Sequence, residues 1–298
     1  MLRLRAMFCH PSRSTARFLP ALVLISINAG VFALDEAKPD DADALFAAGR
    51  ACYKGEGAPL DYAKAADYFR KAAEAGHSKA QATLGAMLVE GRGVQKDFAA
   101  ATRWSARAAA QGDATAKLNL GWMASEGLGG DRDPAAAVRW YREAAEAGLA
   151  EAQLRLGDLY FWGKPGIERD LRESAKWLEK AAAQGVAAAQ NTLGVMRETG
   201  EVGHQDFSEA VRLFSAAADQ GDARAQMNLG RMYANGTGVG RDLAAACYWF
   251  VLSINGREPS GEKQLEDLLL NGKITLKQIA EARVLASSFA PKPRTPLP

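Results

Sequence analysis

The chain has 298 residues, which suits two ordinary domains or one long repeat array. Hydrophobic residues make up 48 %, much of it alanine, and aromatics only 8 %; alanine is the best helix former, so composition favours an all-helical fold. The formal charge of +2 rests on Arg3, Arg5, Arg13 and Arg17, and the chain beyond residue 33 holds 33 basic against 35 acidic residues. No basic excess is left to hold a phosphate backbone, which argues against nucleic acid as a partner.

The first segment reads as a secretory signal peptide over residues 1–33. Its four arginines form a basic region without acids, Phe18 to Ala29 is apolar, and Val31-Phe32-Ala33 offers small residues for cleavage after Ala33. The apolar run of about 12–16 residues is short of the ~20 needed to span a bilayer. An uncleaved anchor is the alternative. Cys9 precedes the apolar run and so is no lipid-attachment cysteine. No later segment is apolar enough to span a membrane, so the expected address is periplasmic or secreted. Residues 34–41 form a short acidic lead-in.

From residue 42 a repeat takes over. Gly49, Gly85, Gly121, Gly157, Gly194 and Gly230 recur at 36, 36, 36, 37 and 36 residues. Five residues before each stands an alanine, from Ala44 to Ala225, and six after each stands another glycine, from Gly55 to Gly236. Then comes an aspartate: Asp61, Asp97, Asp133, Asp170, Asp206 and Asp242. Each unit reads as helix A of about 12 residues, a turn, and helix B. A glycine inside helix A costs ~1 kcal/mol against alanine, a cost expected where a neighbouring helix comes close. The second glycine ends helix A in a left-handed conformation. The aspartate caps helix B; Asp170 with Glu173 and Asp206 with Glu209 extend toward a capping box, and Pro134 suits the first helical position.

Helix B carries a bulky residue seven positions after its cap, namely Tyr68, Trp104, Trp140, Trp177, Leu213 and Trp249, followed in five repeats by an alanine pair. Large against small is how stacked helices interdigitate, so this ladder reads as packing rather than as a ligand stack. The units span 42–77, 78–113, 114–149, 150–186, 187–222 and 223–258. One unit cannot bury its own apolar face, and neighbours must stack into a continuous core. Beyond them, Glu262 to Leu270 reads as a further helix, and Thr275-x-x-Gln278 as a capping box opening a last one through about Ser288. Residues 259–288 thus cap the array. Phe289 to Pro298, with four prolines, reads as a loose tail. Cys52 and Cys247 lie 195 residues apart, near opposite ends of the array. With helices ~8–10 Å apart they cannot meet within the ~7 Å a disulfide needs, and both read as packed thiols.

The repeat resembles the Sel-one-like repeat family, a branch of the tetratricopeptide-like α-solenoids. The sixth unit carries it in Leu229-Gly230-Arg231-Met232-Tyr233-Ala234-Asn235-Gly236-Thr237-Gly238-Val239. The second carries it in Gly91-Arg92-Gly93-Val94, Asp97, Trp104, Ala108-Ala109 and Gly112. The resemblance covers residues 42–258. It implies a right-handed superhelix of six repeats and an adaptor-type function of the exported bacterial kind, in signalling control, envelope assembly or host contact. A cysteine-rich branch linked to β-lactam hydrolysis staples each repeat with a disulfide; the paired cysteines are missing here, so that branch is a poor model.

Chemistry is hard to place. No phosphate loop is complete at Gly163-Lys164-Pro165 or Gly272-Lys273-Ile274, and Gly236-x-Gly238-x-Gly240 lies in an inter-helix turn, not after a strand. His77 and His204 fall in different repeats without cysteine or carboxylate at metal spacing, and read as solvated turn residues. No catalytic residue, cofactor or metal is expected.

In this architecture helix A lines the concave groove. Its groove positions, just past the core glycine and at the helix end, give Arg50, Tyr53, Lys54, Val89, Glu90, Trp122, Glu126, Asp158, Phe161, Trp162, Glu198, Thr199, Arg231 and Asn235. Core positions repeat one residue type and these do not, as a binding surface requires. Trp122, Phe161 and Trp162 stand out as candidate anchors, with packing on the next helix as the alternative. The expected function is therefore a non-catalytic, monomeric envelope scaffold that binds a protein partner. An envelope enzyme acting on peptidoglycan or β-lactams, and a glycan-binding module, are the alternatives.

Overall fold

The computed structural model describes residues 41–294; the expected signal peptide, residues 1–33, and most of the expected lead-in lie outside the described residues. Among the described residues fourteen helices follow one another. The A helices are α1 (Ala42–Lys54), α3 (Ser78–Glu90), α5 (Ala114–Glu126), α7 (Ala150–Trp162), α9 (Ala187–Thr199) and α11 (Ala223–Asn235). The B helices are α2 (Tyr62–Glu74), α4 (Phe98–Ala110), α6 (Pro134–Glu146), α8 (Leu171–Ala183), α10 (Phe207–Asp219) and α12 (Leu243–Asn255). Each helix packs on the next in sequence, and α13 (Ser260–Leu270) and α14 (Leu276–Ala286) close the end against α12. This is an all-α solenoid of six helix pairs.

The punctuation expected from sequence sets the boundaries. All six B-helix aspartates accept backbone N–H groups at their helix N-termini, and Pro134 opens α6. The capping boxes close only at Thr275, where Gln278 answers. Glu173 turns instead to the Lys176 ammonium and the Trp177 indole N–H, and Glu209 to Arg212. A helices are capped by Asp41, His77, Asp113 and Asp222, while Leu149 and Val186 offer no side-chain cap. His77 thus departs from the solvated reading: its Nδ1 accepts from Ala80 N–H at 3.0 Å, its Nε2 lies 3.2 Å from Asp43, and its ring stacks on Phe46. The fourth repeat gains its extra residue in the Lys164-Pro165-Gly166-Ile167 turn, closed by two backbone hydrogen bonds, with Gly166 at φ 85.

The core glycines do what close approach requires. A Cβ at Gly121 would lie 2.7 Å from the Tyr141 ring, and at Gly230 2.7 Å from Phe250. The deeply buried residue is therefore the one after the tryptophan ladder: Phe69, Tyr141, Leu178, Phe214 and Phe250. The ladder itself packs beside these cores, with Trp177 buried and Trp104, Trp140 and Trp249 half-buried. Cys52 and Cys247 are buried free thiols. Phe289 packs on the last core, and Lys292 donates from its backbone N–H and its ammonium to Asp219.

A second device joins the repeats, four residues before the core glycine. The Gln153 amide donates to the Ala145 carbonyl at the end of α6 and accepts from Gln184 at the end of α8. Gln81 does the same with Ala73 and Gln111, and Gln190 with Ala182 and Gln220. In the third repeat Lys117 takes the position, Ala147 replaces the partner glutamine, and the ammonium pairs with Glu143 at 3.0 Å. In the sixth, Gly256 stands where the partner would be, and the Gln226 carbonyl oxygen is buried without one. Gln153→Ala is expected to cost ~1–3 kcal/mol, because it strands a helix-end carbonyl and an amide. Thermal unfolding of Gln153→Ala, Gln184→Ala and the double variant checks it. The double should cost less than the sum of the singles, and purely additive losses would deny the bridge.

Candidate binding face on the A helices

Consecutive A helices approach each other directly, α3 with α5 and α7 with α9, more closely than consecutive B helices of the repeats do. On each A helix, the residues six and two before the core glycine and one and five after it fall at i, i+4, i+7 and i+11, on one helix face. On α5 this stripe is Thr115, Asn119, Trp122 and Glu126; on α7 it is Glu151, Arg155, Asp158 and Trp162. Their N-terminal halves escaped the sequence reading, although the same 3.6-residue spacing run back from the glycine finds them.

The predicted residues sort into four groups. Some are exposed on the stripe: Arg50, Lys54, Glu90, Trp122, Glu126, Trp162 and Asn235. Trp122 is 41 % and Trp162 70 % exposed. Others are committed to neighbours. Arg231 grips Glu198 with both guanidinium ends, at 2.5 and 2.6 Å, fastening α9 to α11. The Tyr53 hydroxyl accepts from Arg92, and its ring meets Tyr62 edge-on. Val89 is half-buried against the second-repeat core, and the Thr199 hydroxyl donates to the Val195 carbonyl. Phe161 corrects the expectation outright: it is 7 % exposed and belongs to the core that α8 and α9 share. Phe161 and Trp162 are one residue, hence ~100° of helix, apart; only Trp162 faces out, edge-on to the Phe161 ring at 4.7 Å.

Asp158 is half-buried on the α7 stripe. Loss of hydration pushes its carboxyl up to about 6, against the pull of Arg155, Arg224 and Lys164 and with the push of Glu151. Arg224 lies two repeats further on, at the start of α11. Arg155 itself is held by Glu151 at 2.8 Å.

A constant helical frame whose A helices carry one variable, partly aromatic face defines a repeat scaffold. The Sel1 repeat model matches residues 42–77, 78–113, 114–149, 150–186, 187–222 and 223–256, and the chain belongs to the Sel1 repeat family. Repeat arrays of this family generally serve as protein-interaction scaffolds. A Sel1 repeat protein from Oxalobacter formigenes is 28 % identical, with a TM-score of 0.70 over 85 % of this chain and 99 % of its own. A protective antigen with an SLR fold, present in uropathogenic Escherichia coli strains, is 28 % identical, with a TM-score of 0.57 over 84 % of this chain; the match spans 61 % of that structure. Comparison with curated proteins gives no match.

Proposed function

We propose that this protein is an exported, non-catalytic scaffold that binds a partner protein along the inner A-helix face. The observation that carries the reading is the pair of outward indoles, Trp122 and Trp162, on adjacent inner stripes of an otherwise regular array. Large aromatics left in water on a recessed face gain most when a partner covers them. Cross-linking in the native envelope followed by mass spectrometry tests it. Cross-links on α5 and α7 are expected, whereas cross-links confined to the B helices would overturn the reading. Binding to isolated glycan, through the same indoles, would favour a glycan module instead.

Export rests on the basic, then apolar, then small-residue order of residues 1–33. The mature protein is expected to begin near Leu34. N-terminal sequencing of protein from the producing cell decides it, and finding Met1 or Met7 on cytoplasmic protein would refute export.

A further inference from the structure

We infer that the middle of the inner face takes a cationic side chain, a lysine or arginine of the partner, against Asp158 and between the Trp122 and Trp162 indoles. The inference rests on the scaffold reading and names the chemistry of its partner. Three observations carry it. First, Asp158 has no hydrogen bond and no ion pair within 4.0 Å among the described residues, although Arg155 is one turn away. Arg155 is spent on Glu151, at 2.8 Å, so its guanidinium leaves the Asp158 oxygens unpaired. Second, Trp162 is one turn beyond Asp158 on the same stripe, and Trp122 holds the Asp158 register one repeat earlier. Both indoles are exposed. The two rings thus flank the Asp158 register, one on the preceding A helix and one on the next turn of α7. A carboxylate between aromatic faces suits a cation and no other charge, through ion pairing and the ring quadrupoles. Third, with Glu151 and Arg155 paired to each other, Glu126 and Asp158 leave these two stripes acidic, whereas the first A helix presents Arg50 and Lys54, and the sixth Arg224. The acidic face is thus local to the indoles. An anionic segment would meet repulsion where the aromatic contacts are best.

The groups acting on Asp158 are Arg155 and Glu151 on α7, Lys164 in the following turn, and Arg224 on α11. Since burial has raised its carboxyl to about 6, protonation removes the anion below that pH. Preference for a cation should therefore be full near pH 7.5 and fade toward pH 5.

The test uses the purified protein and three short peptides alike but for a central Arg, Lys or Gln, titrated while the Trp122 and Trp162 indole N–H resonances are followed. The Arg and Lys peptides are expected to shift both signals at concentrations about tenfold below the Gln peptide, a margin of ~1.4 kcal/mol. Asp158→Asn, which keeps shape and removes charge, should bring all three peptides to the Gln level with unchanged circular dichroism. Equal shifts by all three peptides, or a cation preference that survives Asp158→Asn or pH 5, would overturn the inference while leaving the indole face as a binding surface. Silent indoles with every peptide would remove the inference, and cross-links found only on the B helices would remove the scaffold reading beneath it.

Discussion

Gly157→Leu is expected to destabilise the array by ~3 kcal/mol or more, the upper range of overpacking. The reason is distance. A Cβ on Gly157 would lie 2.6 Å from Leu178 Cγ and 2.7 Å from its Cδ2, and Leu178 is 0 % exposed, with no solvent to turn into. The backbone cannot retreat freely either, because Ser174 on α8 donates its hydroxyl to the Gly157 carbonyl at 2.8 Å. A leucine adds three carbons beyond that Cβ, so α7 and α8 must separate. Nearest-neighbour packing carries stability in such arrays. Hydrogen exchange should therefore rise in α6 to α9 first, while α1 and the α12–α14 end keep their protection. Thermal unfolding gives the size, and Gly157→Ala with Leu178→Ala, which returns the lost room, should recover part of what Gly157→Ala alone loses. A midpoint within a degree of the parent for Gly157→Leu would deny the close approach. Gly194 against Phe214, where a Cβ would come to 2.6 Å, is expected to repeat the result one repeat later.

The frame was legible because it is written six times. Glycine, alanine and aspartate in fixed register give helix ends, caps and close contacts, and twelve helices of 13 residues follow. What sequence did not resolve is phase and partnership. "Aromatic near the end of helix A" describes Phe161 and Trp162 equally, yet one turns into the core of α8 and α9 and its neighbour into solvent. Glu198 and Arg231 were singled out as variable, but they are 33 residues apart and spend their charges on each other. His77 looked like a turn residue, since histidine is a rare cap, and only the stacked Phe46 ring and Asp43 show why it sits there. The glutamine bridge was present in the letters. Gln81 with Gln111, Gln153 with Gln184, and Gln190 with Gln220 stand as pairs, both members are replaced at Lys117 and Ala147, and Gln226 keeps its place although Gly256 has replaced its partner. Its meaning needs the geometry, since the two ends lie 30 or 31 residues apart and meet only when a helix pair closes.

Trp122→Ala with Trp162→Ala is expected to abolish partner binding and leave the fold standing. An aromatic buried at an interface contributes ≥2 kcal/mol, roughly thirtyfold in affinity. In the free protein Trp162, 70 % exposed, loses an edge-on contact with Phe161, which is worth about 0.5–1.5 kcal/mol. Trp122 is 41 % exposed, and its loss removes half-covered surface without opening a cavity. Phe161 must stay out of the variant. It is 7 % exposed among Leu154, Leu178 and Met196, and the Arg169 guanidinium lies 5.8 Å over its ring. Phe161→Ala should cost ~3–5 kcal/mol as a core truncation, and a binding loss seen with it would report unfolding. The cross-linked partner, titrated against the double variant with circular dichroism as control, decides the matter. Unchanged affinity with intact helix would move the binding site off the inner face. Lost helicity in the double variant would make the two indoles part of the packing. If binding falls in the double variant and helicity falls only with Phe161→Ala, two adjacent aromatics of one helix divide the work, Phe161 holding the stack and Trp162 meeting the partner.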